Sequence, residues 1–213
     1  MLRRARLLRQ EGFAVLMPDL QAHGESTGKH VTFGYLEAKD AEACISYVAA
    51  RFAGLPIVAV GVSMGGAALA LAGDRLPLRA AVLEAVYPTI AEAVDNRVRR
   101  RVGPLARVLA PILLLQLQPR LGVRPDDLRP IEAVRTIRYP LLVISGTADL
   151  DTTEAQARAL FAAVQAPKEL WLVPGAGHID LLRYDPEGYR RHVVDFVTRH
   201  VLRDQRVAAG AVD

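Results

Sequence analysis

The chain of 213 residues has a single cysteine, Cys44, which excludes any intrachain disulfide framework. That thiol falls in a helical-looking stretch and reads as a buried, inert group, in keeping with a reducing cytoplasm. Lysine occurs only at Lys29, Lys39 and Lys168, so arginine carries the basic charge. No aromatic side chain interleaves the run Arg97, Arg99, Arg100, Arg101, and the stacking platform of a single-strand nucleic-acid binder is therefore missing. The uncharged stretch Val108 to Pro119 is about 12 residues with two prolines and two glutamines, whereas a membrane span needs about 20 apolar residues, so no span is expected there. No His/Cys/Asp cluster shows ligand spacing, so neither metal nor cofactor is expected.

What is present is an ordinary globular composition, 51% hydrophobic and 23% charged, with 16 glycines and 13 prolines. Intrinsic disorder is excluded, and the length supports one domain with a large core over residues 1–213. The net charge of +4 leaves nucleic acid without other support, and none is expected as a partner. The arginine run reads as a solvated face, with an anionic substrate or a lipid headgroup as the functional alternative.

Hydrophobic patterning predicts alternating strands and helices. A short helix containing Leu2, Leu7 and Leu8 stops at Gly12. Phe13 to Met17 is a continuous apolar run ended by Pro18-Asp19, as expected of a strand buried on both faces. After a polar loop from Leu20 to Gly34, Ala38, Ala41, Ile45, Val48 and Phe52 recur at helical spacing, with Gly54 as the stop. Further strands are expected at Pro56 to Val60, Arg79 to Glu84, Leu141 to Ser145 and Glu169 to Val173. Helices are expected after Gly66, at Thr153 to Val164, and from Pro186 to Arg203, with a frayed tail from Asp204. The fold class is α/β, a mostly parallel sheet with helices on both faces. The segment from about 87 to 130 breaks the rhythm with helical patches and six prolines and reads as a cap-like insertion.

Gly61-Val62-Ser63-Met64-Gly65 matches G-x-S-x-G between an apolar strand and a helix, the context of a nucleophile elbow. A serine that merely caps the helix is the competing reading. A hydroxyl is a weak nucleophile at neutral pH and needs a histidine base and a carboxylate to orient it. His178, in Pro174-Gly175-Ala176-Gly177-His178 after the last strand, is the candidate base. Asp149, in Ser145-Gly146-Thr147-Ala148-Asp149, is the candidate carboxylate, with Asp151 as alternative. The Met64 amide, at the start of the helix, is a candidate oxyanion donor. His30, His192 and His200 read as solvated.

With Ser63, Asp149 and His178 in that order, the chain resembles the α/β-hydrolase superfamily from Phe13 to its closing helix. The resemblance implies a serine hydrolase working through an acyl-serine, with a Ser-Asp-His triad and a small ester-type substrate. It implies that Asp19-Leu20-Gln21-Ala22-His23-Gly24-Glu25-Ser26 is a structural loop in which His23 packs and is not the base. The insertion corresponds to the family's variable cap. The family's earlier strands, one ending in a loop that supplies a second oxyanion amide, have no counterpart before the first helix. A truncated chain is therefore expected, with two unpaired strand edges, a tendency to self-associate, and turnover lowered by about 10²–10³ for one missing donor. Otherwise the two flanking strands close up and pair directly. The rival expectation is a non-catalytic member of the family.

Overall fold

The computed structural model describes residues 1–201. Four strands, β1 (Val58–Val62), β2 (Ala80–Glu84), β3 (Leu141–Gly146) and β4 (Lys168–Val173), form one sheet in the order β1-β2-β3-β4 with every pairing parallel. Side chains alternate across a pleated strand, so each strand feeds two cores. Ala81, Leu83, Leu141 and Val143 face α2 (Glu37–Arg51), α3 (Met64–Ala72) and α8 (Glu154–Ala163). Ala80, Val82, Leu142 and Ile144 face the opposite side, where Leu7 of α1 (Leu2–Gln10) and Tyr189, Val193 and Phe196 of the closing helix pack. That double burial is why these strands read as continuous apolar runs.

Helix ends follow local chemistry. α1 ends at Gln10, and Gly12 takes a positive φ of 90°. α8 starts with a reciprocal capping box in which Thr153 and Gln156 each accept the other's backbone amide. The closing helix starts with α10 (Pro186–Tyr189), passes through a π-helical turn at Arg190–Val194 and continues through 195–201. Its expected end at Arg203 and the tail from Asp204 lie outside the described residues.

One expected strand does not form. Phe13 to Met17 makes no ladder, and Ala14, Leu16 and Met17 are exposed, although Phe13 still packs on the second core. A strand exists by backbone pairing, and the neighbour this segment needs is absent among the described residues. The alternative of direct pairing with β1 does not occur either, and β1 is left as an edge of the sheet. Cys44 is half-buried on α2, more accessible than the buried thiol expected.

The segment from about 87 to 130 forms helices joined by turns, with no strand among the described residues. α4 (Ile90–Val102), α5 (Ala106–Leu115) and α6 (Leu117–Leu121) follow one another, and α7 (Pro130–Ala133) leads back to β3. The run Ile90–Leu121 has the length and hydropathy of a membrane span, which its interspersed arginines concealed in a search for uncharged stretches. It is not one straight rod, because a 3₁₀ turn at Gly103–Leu105 folds α5 back against α4. The short helix α9 (Leu181–Tyr184) connects the last loop to the closing helix.

Candidate functional site

Ser63 sits between β1 and α3 at φ 50° and ψ −116°, a conformation that costs an L-residue energy and that the surrounding structure must enforce. Its amide donates to Glu84 O at 2.7 Å and its carbonyl accepts from Ala67 N at 2.9 Å. The turn closes because nothing larger than glycine stands at its base. A Cβ on Gly61 would lie 2.6 Å from Gly66 Cα, and one on Gly66 would lie 2.3 Å from a Val86 methyl. The Ser63 hydroxyl makes no capping hydrogen bond, so the helix-cap reading fails. Met64 opens α3, and its amide is among the first-turn donors that lack an intrahelical acceptor.

Asp149 lies just past β3 and is 2% exposed. Its Oδ1 accepts the amides of Asp151 and Thr152 at 2.8 and 2.9 Å, and its Oδ2 lies 2.8 Å from His178 Nδ1. The loop carrying His178 is tied to the same turn, with Thr147 N donating to Val173 O and Ala148 N to Ala176 O. That approach again needs a glycine: a Cβ on Gly146 would fall 2.1 Å from Ala176 O. Ser63, Asp149 and His178 thus all stand beyond the carboxyl ends of parallel strands, on β1, β3 and β4. Strands about 4.8 Å apart put the turns after β1 and β3 about 10 Å from one another.

The hydrogen bond to Asp149 raises the His178 pKa above its ordinary value, against burial, which lowers it, and against Arg97 nearby. Burial pushes Asp151 up, but the hydrogen bond and charge of Arg100 outweigh it and hold the carboxyl below its usual range. Arg100 Nη1 meets Asp151 Oδ1 at 2.7 Å, so Asp151 is paired with α4, and Asp149 is the carboxylate hydrogen-bonded to the imidazole. Asp151 and Arg97, Arg100 and Arg101 of α4 line a polar hollow beside the site.

Donor atoms of Asp149, Asp151 and His178 lie within 4.8 Å of one another, a convergence that sequence spacing did not reveal. As a cation site it is poorly disposed. Asp149 already accepts two amides and faces the imidazole, and Arg100 occupies Asp151.

Arg4 of α1 was not legible as anything but surface charge, yet it is 5% exposed. Its guanidinium pairs with Glu84, donates to Tyr189 Oη at 3.0 Å and lies 3.0 Å from Asp180 Oδ1. Tyr189 Oη in turn donates to Glu84 Oε2 at 3.1 Å. Glu84 is the register partner of Val62, next to Ser63, and Asp180 is two residues past His178. The one signal was a glutamate closing the otherwise wholly apolar strand β2, since a fully buried carboxylate requires a cation.

The loop from Asp19 to Ser26 is held by internal bonds and by Gln21 N donating to Asp40 Oδ2 of α2 at 2.8 Å. Ser26 Oγ donates to Asp19 O at 2.6 Å, and Glu25 N donates to Asp19 Oδ2 at 3.2 Å. His23 does not pack as expected. It is exposed, with Nδ1 2.8 Å from Gln21 O, in a loop whose preceding segment forms no strand.

The sequence profile described as "Alpha/beta hydrolase family" matches residues 2–192. The chain is similar to the uncharacterised protein YfhR of Escherichia coli, with 29% identity over 201 residues, covering 89% of this chain and 62% of that one. It is similar to the uncharacterised protein Rv2307c of Mycobacterium tuberculosis, with 30% identity over 172 residues, covering 79% of this chain and 54% of that one. The chain thus spans less than two thirds of the length of these relatives. Among solved structures, the Pyrococcus furiosus esterase Pf2001 superposes with a TM-score of 0.77 at 23% identity, over 94% of this chain and 76% of that one. With the profile matched over most of its length and the same parallel sheet underneath, this chain belongs to the alpha/beta hydrolase family.

Proposed function

We propose that the protein is a serine hydrolase that cleaves a small ester-type substrate through an acyl-serine intermediate. Ser63 is the nucleophile, His178 the general base and then acid, Asp149 the orienting carboxylate, and the Met64 amide an oxyanion donor. Because His178 Nδ1 faces Asp149, Nε2 is the nitrogen left to take the Ser63 proton. Ser63 Oγ adds to the substrate carbonyl, His178 passes the proton to the departing alcohol, and a water deprotonated by His178 releases the acid and restores Ser63. The 2.8 Å pairing of His178 with Asp149, at the sheet edge that also carries the strained Ser63, is the observation that carries this reading. The choice of an ester accords with the esterase designation of the P. furiosus neighbour.

The test is labelling of the purified chain with a fluorophosphonate, with the adduct located by peptide mass spectrometry. We expect an adduct on Ser63 that vanishes in Ser63→Ala and His178→Ala. A protein that is folded by circular dichroism yet unlabelled overturns the reading and leaves a non-catalytic family member.

A further inference from the structure

We propose that the outer face of α5, with the arginines around it, is a docking surface for an anionic lipid bilayer. The inner face of this helix is built from Ala106, Ala110 and the partly buried Leu114, which lie against the fold. Leu105, Val108, Leu109, Ile112, Leu113 and Leu115 point outward, from 39% to 77% exposed. They recur at three- and four-residue spacing, so they make one continuous apolar strip and not scattered surface residues. α5 has ten residues and is about 15 Å long, half of a bilayer's hydrocarbon thickness, so it suits lying in the interface and not crossing it.

The charge around the strip selects the occupant. From residue 97 to residue 120 there are six arginines and no acidic residue. Arg99 and Arg100 are paired with Asp95 and Asp151, whereas Arg101, Arg107 and Arg120 have no acidic partner among the described residues. A second copy laid on this face would bring two sets of free guanidinium groups together. A bilayer carrying anionic headgroups meets both demands, taking the leucines among its acyl chains and the arginines at its phosphates, with the long Arg107 stem reaching to the headgroup level. Arg97, Arg100 and Arg101 also line the hollow beside Asp151, so the docked face adjoins the candidate site.

The experiment is flotation of the full chain with vesicles of phosphatidylcholine alone and of phosphatidylcholine mixed with phosphatidylglycerol. We expect binding to the mixed vesicles only, weakened by added salt. Each removed arginine charge should lower it by about fivefold, as read with Arg101→Gln and Arg107→Gln. Leu109→Glu with Ile112→Glu should abolish it without altering the circular dichroism spectrum. Should that pair disturb folding, Leu109→Ser with Ile112→Ser makes the same test. Absence of flotation, or flotation that depends on the arginines and not on the leucine-isoleucine pair, overturns the proposal. So does an oligomer that the pair converts to a monomer without vesicle binding, which assigns the face to a second copy. Binding should persist in Ser63→Ala, so the outcome is independent of the hydrolase reading.

Discussion

At the scale of single residues, the proposed chemistry depends on the protonation of one imidazole. His178 must be neutral to accept the Ser63 proton, and pairing with Asp149 raises its pKa. Ester hydrolysis should therefore rise with pH through a midpoint above about 6.5, the ordinary histidine value. Asp149→Asn should lower that midpoint and cut kcat by about 10⁴, as a pH–rate profile would show. The ion pair runs the other way in stability. With the folded pKa raised, its contribution is full below about 6.5 and is lost as pH rises through the folded value. Glu37 behaves oppositely. Burial pushes its pKa up, but hydrogen bonds from Thr32 and Gly34 hold it below the ordinary 4.5. Its contribution is full above 4.5 and lost as pH falls through the folded value, so Glu37→Gln should flatten the acid limb of a Tm-against-pH curve. The positions of Ser63, Asp149 and His178 beyond strand ends were readable because each follows a strand in a short motif. Arg4 was not, because nothing local distinguishes it from its neighbours on α1. Only its distant partners Glu84, Tyr189 and Asp180 make it a core residue.

At the scale of elements, two close approaches hold the site. The turn before α3 needs Gly61 and Gly66 in contact, and the His178 loop needs Gly146 against Ala176 O. Gly146→Ala should separate that loop from β3, cutting fluorophosphonate labelling of Ser63 while the far-ultraviolet spectrum stays native. The Arg4–Glu84–Tyr189–Asp180 cluster ties α1 to β2, to the loop after His178 and to α10. Arg4→Met leaves Glu84 buried without its cation, at a cost of about 3–5 kcal/mol out of a total of about 5–15. Chemical denaturation should show that loss, with part of it recovered when Glu84→Gln is added. Strand and helix identity was largely legible, since a strand buried on both faces is apolar throughout. Phe13 to Met17 is the instructive failure, for its composition is as strand-like as that of β1. Composition gives the propensity to pair but not the partner.

At the scale of the whole molecule, two surfaces are left open among the described residues, the outer edge of β1 with the nearby Phe13–Met17 segment and the outer face of α5. An unpaired edge presents free backbone groups to any other strand. We therefore expect light scattering to show concentration-dependent mass above that of the 23.2 kDa chain, and a monodisperse monomer at high concentration would refute this. The sequence by itself determined the parallel α/β layering, the strand-turn-helix at Ser63, and the places of Asp149 and His178 after their strands. Each of these is written in local periodicity and short-range spacing. Tertiary structure alone decided which aspartate meets the imidazole, that Arg4 is buried, that Phe13 to Met17 stays unpaired, and that α5 turns its leucines outward. These are relations between segments far apart in the chain, and they exist only once packing has brought the segments together.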